Sequence, residues 1–116
     1  MLSESTDSTR SGSDRRRYER YAVRCDCWLE GDETSIYGPT ADVGLGGVFL
    51  RTAVPLPLGH AVDVRLTIGG NAVTASGVVT RTVPPQHGSR HGVGVEFLKI
   101  RDGSSELLQF LGKQSS

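Results

Sequence analysis

The 116-residue sequence has little of what most catalytic, metal or membrane chemistry requires. Cysteine occurs only as Cys25 and Cys27. On a strand, two such residues place their Cα atoms about 6.5 Å apart on one face, an awkward separation for a disulfide. His60, His87 and His91 stand at no paired ligand spacing to each other or to the cysteines, so two reduced core thiols and no metal site are expected. No apolar run approaches the roughly 20 residues of a membrane span, and no hydrophobic leader core follows Met1-Leu2. The expected location is cytoplasmic, without membrane insertion. Aromatic residues are few, with three Phe, three Tyr and one Trp, and long helices are not expected. Net charge is also missing: 13 basic side chains face 13 acidic ones. That balance argues against a general DNA or RNA binder, whose field is positive over a whole face. No nucleophile, base and orienting group occur together, so an enzyme is not expected.

What is present is glycine, 15 residues of it, in a chain long enough for one domain with one modest core. Residues 1–14 are rich in Ser, Thr and Gly and cannot bury enough apolar surface to offset the entropy of ordering, so a disordered tail is expected. Charge is concentrated immediately afterwards, in Arg15-Arg16-Arg17-Tyr18-Glu19-Arg20, where four guanidinium groups and one carboxylate fall within six residues. Guanidinium is planar, permanently charged and forked, which suits phosphate oxygens and nucleobase faces. A solvated basic tail is the plain alternative. At the hinge between tail and domain, the segment is placed to close over a ligand, which is expected to convert it from mobile to ordered and so to signal to a protein partner.

From Tyr21 onward the pattern has period 2. Val23, Cys25, Cys27 and Leu29 alternate with Arg24, Asp26, Trp28 and Glu30, as in a half-buried strand. A second strand is expected from Ser35 through an irregular Gly38-Pro39 to Val43, then a glycine-rich turn at 44–47 and a strand from Val48. Val62, Val64, Leu66 and Ile68 mark the clearest strand, and Gly69-Gly70 or Gly70-Asn71 a two-residue hairpin turn. The return strand, Ala72 to Val83, is read with Val79 and Arg81 on one face and a bend at Gly77. Residues 84–90 read as a mobile loop. Then Val93, Val95 and Phe97 point one way, while Gly92 and Gly94 leave the other face bare, which requires a cover. Ser104 or Ser105 caps a short helix with an apolar stripe of Leu107, Leu108, Phe110 and Leu111 and with Gly112 as terminator. That helix must dock, over either the glycine face or Trp28. The fold class is all-β: five or six antiparallel strands in a closed or nearly closed barrel.

Arg15, Arg16 and Arg20 form an Arg-Arg-x-x-x-Arg stretch at the start of a small β-domain, and Asp42 and Gly47 fit an Asp/Asn-x-Ser-x-x-Gly pattern running into an apolar strand. In this order and spacing the two motifs resemble the PilZ domain of bacterial cyclic di-GMP receptors. His91 to Phe97 is similar to that family's last strand, so the resemblance covers residues 15–112. Gly44 stands where the family has serine. The resemblance implies a split-barrel type of antiparallel β-barrel with about six strands and a C-terminal helix. It implies cyclic di-GMP as ligand, with no other cofactor, and output through an effector protein in processes such as motility and biofilm formation. Arg15, Arg16 and Arg20 would serve the phosphates and guanine faces. Asp42 would accept from guanine N1 and N2, Gly44 and Gly47 would admit the base to the backbone, and Arg81 would add a contact. Loss of the serine hydroxyl is expected to forfeit about 0.5–1.5 kcal/mol; Gly44→Ser is expected to restore it provided that φ at position 44 is one a residue with a Cβ adopts, and a left-handed backbone there would cancel the gain. Two rivals are an adaptor of the same fold that has lost the nucleotide, and an OB-like single-strand binder with Tyr18, Tyr21 and Trp28 as stacking platforms.

Overall fold

The computed structural model describes residues 19–86 and 91–114. The expected tail at 1–14, the roles of Arg15 and Arg16, and residues 87–90 of the expected loop lie outside the described residues. Among the described residues the strands are β1 (Arg20–Tyr21), β2 (Asp26–Glu30), β3 (Ser35–Gly44), β4 (Gly47–Leu50), β5 (Ala61–Ile68), β6 (Asn71–Val83) and β7 (Gly92–Asp102), followed by helix α1 (Ser104–Gln114).

Every pairing is antiparallel. The order runs β3-β2-β5-β6-β7-β4, and β4 pairs again with β3, so six strands close into a barrel; β1 is added along β3. Closure removes the open sheet edges that would otherwise invite pairing with another chain. Strand β5 alternates without fault: Val62, Val64, Leu66 and Ile68 are buried and Ala61, Asp63, Arg65 and Thr67 are exposed. With Leu29, Leu50, Val79 and Val95 these residues fill the interior, and Leu107 and Leu111 of α1 join the same core. Each fully buried aliphatic side chain contributes about 1.5–3 kcal/mol.

Gly69 and Gly70 form the β5–β6 turn with φ of 58° and 83°, the two left-handed residues that a two-residue hairpin demands. The helix docks beside this turn, where the Phe110 ring comes within 3.1 Å of the position a Cβ on Gly69 would take. It therefore covers neither Trp28 nor the glycine face. Trp28 is flanked instead by Tyr37, with ring centroids 4.6 Å apart, and by Arg65, whose guanidinium carbon lies 5.4 Å from the ring. These are its cross-strand partners in the two registers. The helix continues past Gly112 to Gln114, and Leu108 of the expected stripe stays outside, 57% exposed.

Two other departures have local causes. The strand expected from Tyr21 to Glu30 is broken between β1 and β2, where the Thr40 hydroxyl replaces ladder bonds. It accepts from the Cys25 amide at 2.9 Å and donates to the Val23 carbonyl at 2.6 Å, which satisfies a hydroxyl that is only 2% exposed. In β6 the register shifts between Val79 and Arg81. Val79 points into the core and Arg81 outward, not to one shared face, because a bulge reverses the alternation.

Cys27 is buried, and that burial pushes its thiol up to about 12; Cys25 is also raised, chiefly by burial. Iodoacetamide at pH 8 should therefore leave Cys27 unmodified in the folded chain and alkylate it in denaturant, as read by mass spectrometry. An unfolded thiol ionises near 9.0 and the folded Cys27 near 12, so the unfolded chain loses this proton first. The cysteine contribution to stability is thus intact below pH 9 and falls as pH rises from 9 towards 12.

Candidate functional site

Strand pairing sets one lateral row across the outside of the barrel: Asp42 on β3 faces Phe49 on β4, Phe49 faces Gly94 on β7, and Gly94 faces Arg81 on β6. At about 4.8 Å per strand, the row spans about 14 Å. Two residues further along β3, Gly44 faces Arg20 of β1, and two residues before Phe49 on β4, Gly47 faces Glu96 of β7. The register shift between Thr40 and Asp42 is a bulge in β3, and Asp42 follows it.

Arg20 returns from β1 across this surface. Its Nη1 donates to Asp42 Oδ1 at 2.7 Å, with the two side chains 37% and 34% exposed. Its Nη2 lies 3.1 Å from the position of a Cβ on Gly47, so the bare glycine leaves the guanidinium room to lie over β4. Phe49 points outward yet is only 8% exposed, because its ring lies flat on the glycines of β7. A Cβ on Gly92 would fall 2.6 Å from the Phe49 ring. On the ring's open side stands Arg81, with its guanidinium carbon 5.3 Å from the centroid. Arg20, Phe49, Thr80, Arg81 and Gly94 line a cleft of about 490 Å³. Two cations thus border an apolar floor, and Asp42, beside the cleft, holds one of them, Arg20, an arrangement suited to an anion that also carries planar rings.

The structure brings together Arg20, Asp42, Gly47 and Arg81. Gly44 belongs to the seat of β1 rather than to the cleft lining. Its φ is ordinary, unlike those of Gly59, Gly69, Gly70 and Gly103, but the space is taken. A Cβ there would meet the Glu19 carbonyl oxygen and lie 3.2 Å from Arg20 Cδ. The φ on which a gain from Gly44→Ser was expected to depend is therefore present, and the obstacle is the space occupied by Glu19 and Arg20.

Phe49, Thr80 and Gly94 were not expected at the site. The available signal was the bare Gly92/Gly94 face, which needed a cover, and Phe49, the one Phe of the strand that follows the glycine turn. Of the stacking platforms expected for a nucleic-acid binder, Tyr21 packs against the core and donates its hydroxyl to Glu19 at 2.8 Å, while Trp28 stands between Arg65 and Tyr37. No group of three or more metal-ligating side chains occurs among the described residues, and none of their helices is long and apolar enough to cross a membrane.

No curated protein matches the sequence. Among solved structures, the Bacillus subtilis inhibitor of motility (MotI/DgrA) is similar with a TM-score of 0.75 and 18% identity, over 87% of this chain and 51% of that one. The chain thus spans about half of that protein's length, and the likeness is one of fold. The family described as the PilZ domain matches residues 14–113, nearly the whole sequence. With the closed six-stranded barrel, added strand and terminal helix already in place, that match shows that the chain belongs to the PilZ domain family.

Proposed function

We propose that the protein is a cyclic di-GMP receptor and adaptor, whose ligand-bound face is read by an effector protein in the control of bacterial motility or biofilm formation. The observation that carries this reading is the row from Asp42 to Arg81 with Arg20 laid across it. Arg20 and Arg81 supply charge for phosphate oxygens and planes for guanine faces. Asp42 is an acceptor-only group for guanine N1 and N2, and the Phe49 floor keeps water from one side. Arg15 and Arg16, adjoining β1 in sequence, are expected to complete the clamp. The Arg20–Asp42 pair is about one-third exposed and contributes at most about 1 kcal/mol. Each charge-assisted bond to a ligand is worth about 1.5–3 kcal/mol, so ligand contacts exchange readily for this pair.

The rival of a nucleotide-free adaptor draws on the same ion pair, in which the two side chains satisfy each other. Calorimetric titration separates the readings. Cyclic di-GMP should bind saturably and in preference to cyclic di-AMP. Asp42→Ala should weaken binding and reduce the preference for guanine. A silent titration at high protein concentration would favour the nucleotide-free adaptor.

A further inference from the structure

We infer that glycine at position 44 seats the β1 arm on β3 before ligand arrives, and so holds Arg20 in place over the site. The inference rests on the ligand reading above for its effect on affinity, but its structural half stands alone. Three observations converge. Arg20 pairs with Gly44 and Tyr21 with Val43, so β1 meets β3 at the glycine. The φ of Gly44 lies outside the left-handed region, so the backbone conformation does not demand glycine; the space does. A Cβ there would strike the backbone of Glu19, at its carbonyl oxygen and carbon, and the Arg20 side chain at Cδ. A collision with backbone cannot be relieved by a rotamer change, so any larger residue must push β1 away from β3.

The seated arm fixes Arg20 at both ends. Its backbone is paired with β3, and its guanidinium reaches Asp42 at 2.7 Å and passes over Gly47. An arginine already ordered loses less freedom on binding than one on an unseated arm, and such preorganisation appears directly as affinity. Gly44 is on this account a positioning residue. In the family pattern a serine hydroxyl stands at this position; here the missing side chain acts through Arg20 instead, and Gly44→Ser should weaken binding rather than strengthen it.

The test uses the full chain and compares wild type, Gly44→Ala, Gly44→Ser, Arg20→Ala and the double variant Gly44→Ala/Arg20→Ala. Amide hydrogen exchange without ligand reads the seat. Residues 20–21 and 43–44 should lose protection in both position-44 variants while β5 and β6 keep theirs. Calorimetry with cyclic di-GMP reads the consequence. Affinity should fall about fivefold to tenfold in Gly44→Ala and Gly44→Ser, and Gly44→Ala should cost a clearly smaller factor when added to Arg20→Ala than when added to wild type, since Arg20 is then gone and only Arg15 and Arg16 still depend on the arm. Unchanged exchange at residues 20–21, or an unseated arm with unaltered affinity, or tighter binding by Gly44→Ser would each overturn the inference. If wild type binds no cyclic di-GMP, the ligand reading fails, and the exchange data still decide whether Gly44 seats the arm.

Discussion

Arg20→Ala should lower the affinity for cyclic di-GMP by more than tenfold while leaving the melting temperature within a few degrees of wild type. Among the described residues Arg20 has one ionic partner, Asp42, and both side chains are about one-third exposed, so the pair adds at most about 1 kcal/mol to stability. In the complex, the same guanidinium offers a fork of donors to phosphate and a plane to guanine. Removing it forfeits several kcal/mol of charge-assisted bonding, and about 1.4 kcal/mol suffices for a tenfold effect. Arg20→Lys should fall between the two, because an ammonium keeps the charge and loses the plane and the fork. Calorimetry and thermal melts on the three proteins make the comparison. Equal affinity for wild type and Arg20→Ala would show that this arginine serves its pair with Asp42 and not the ligand.

Phe49→Ala should have the opposite profile, with stability as the main casualty. The ring covers Gly92 and Gly94, neither of which has a side chain to close the gap, and it carries the Arg81 guanidinium. Truncating a buried phenylalanine costs about 3–5 kcal/mol. For a domain of this size the melting temperature should drop by at least about 10 °C. Binding should weaken as well, because Arg81 loses its support. Phe49→Leu keeps most of the apolar cover but offers no π face, and should recover much of the stability with less of the affinity. If Phe49→Ala melted within a degree or two of wild type, the ring would not be the cover assigned to it.

Local chemistry explains which parts of this fold were legible in the sequence. The β5–β6 hairpin was, because Val62 to Ile68 alternate strictly and Gly69-Gly70 is a turn signal that needs nothing from elsewhere. The inward row of Val93 and Val95 on β7 and the existence of α1 were also legible. What could not be read was anything that depends on pairing between distant segments. The break after Tyr21 exists because Thr40, far along the chain, offers its hydroxyl to Val23 and Cys25. The outward turn of Arg81 depends on a register shift against β7. The same holds for the site. Arginines and the Asp42/Gly47 pattern pointed to a ligand, but the row that unites Asp42 with Arg81 crosses three strand pairings. The role of Gly44 was invisible for a related reason: the atom that excludes a Cβ belongs to Glu19.

The closing seam of the barrel also sets a timetable. Pairing within the β5–β6 hairpin joins neighbours across a two-residue turn, and such local contacts form early. The seam joins residues 47–50 to residues 93–96, with that whole hairpin between them, so its chain entropy must be spent before any reward arrives. Refolding followed by pulsed hydrogen exchange should therefore protect Val64 and Val73 before Val48 and Val95. The row from Asp42 to Arg81 crosses the seam at Phe49 and Gly94. A partly folded chain, with its hairpin complete and its seam still open, has all the residues of the site and no site, so recognition of the ligand doubles as a check that folding has finished.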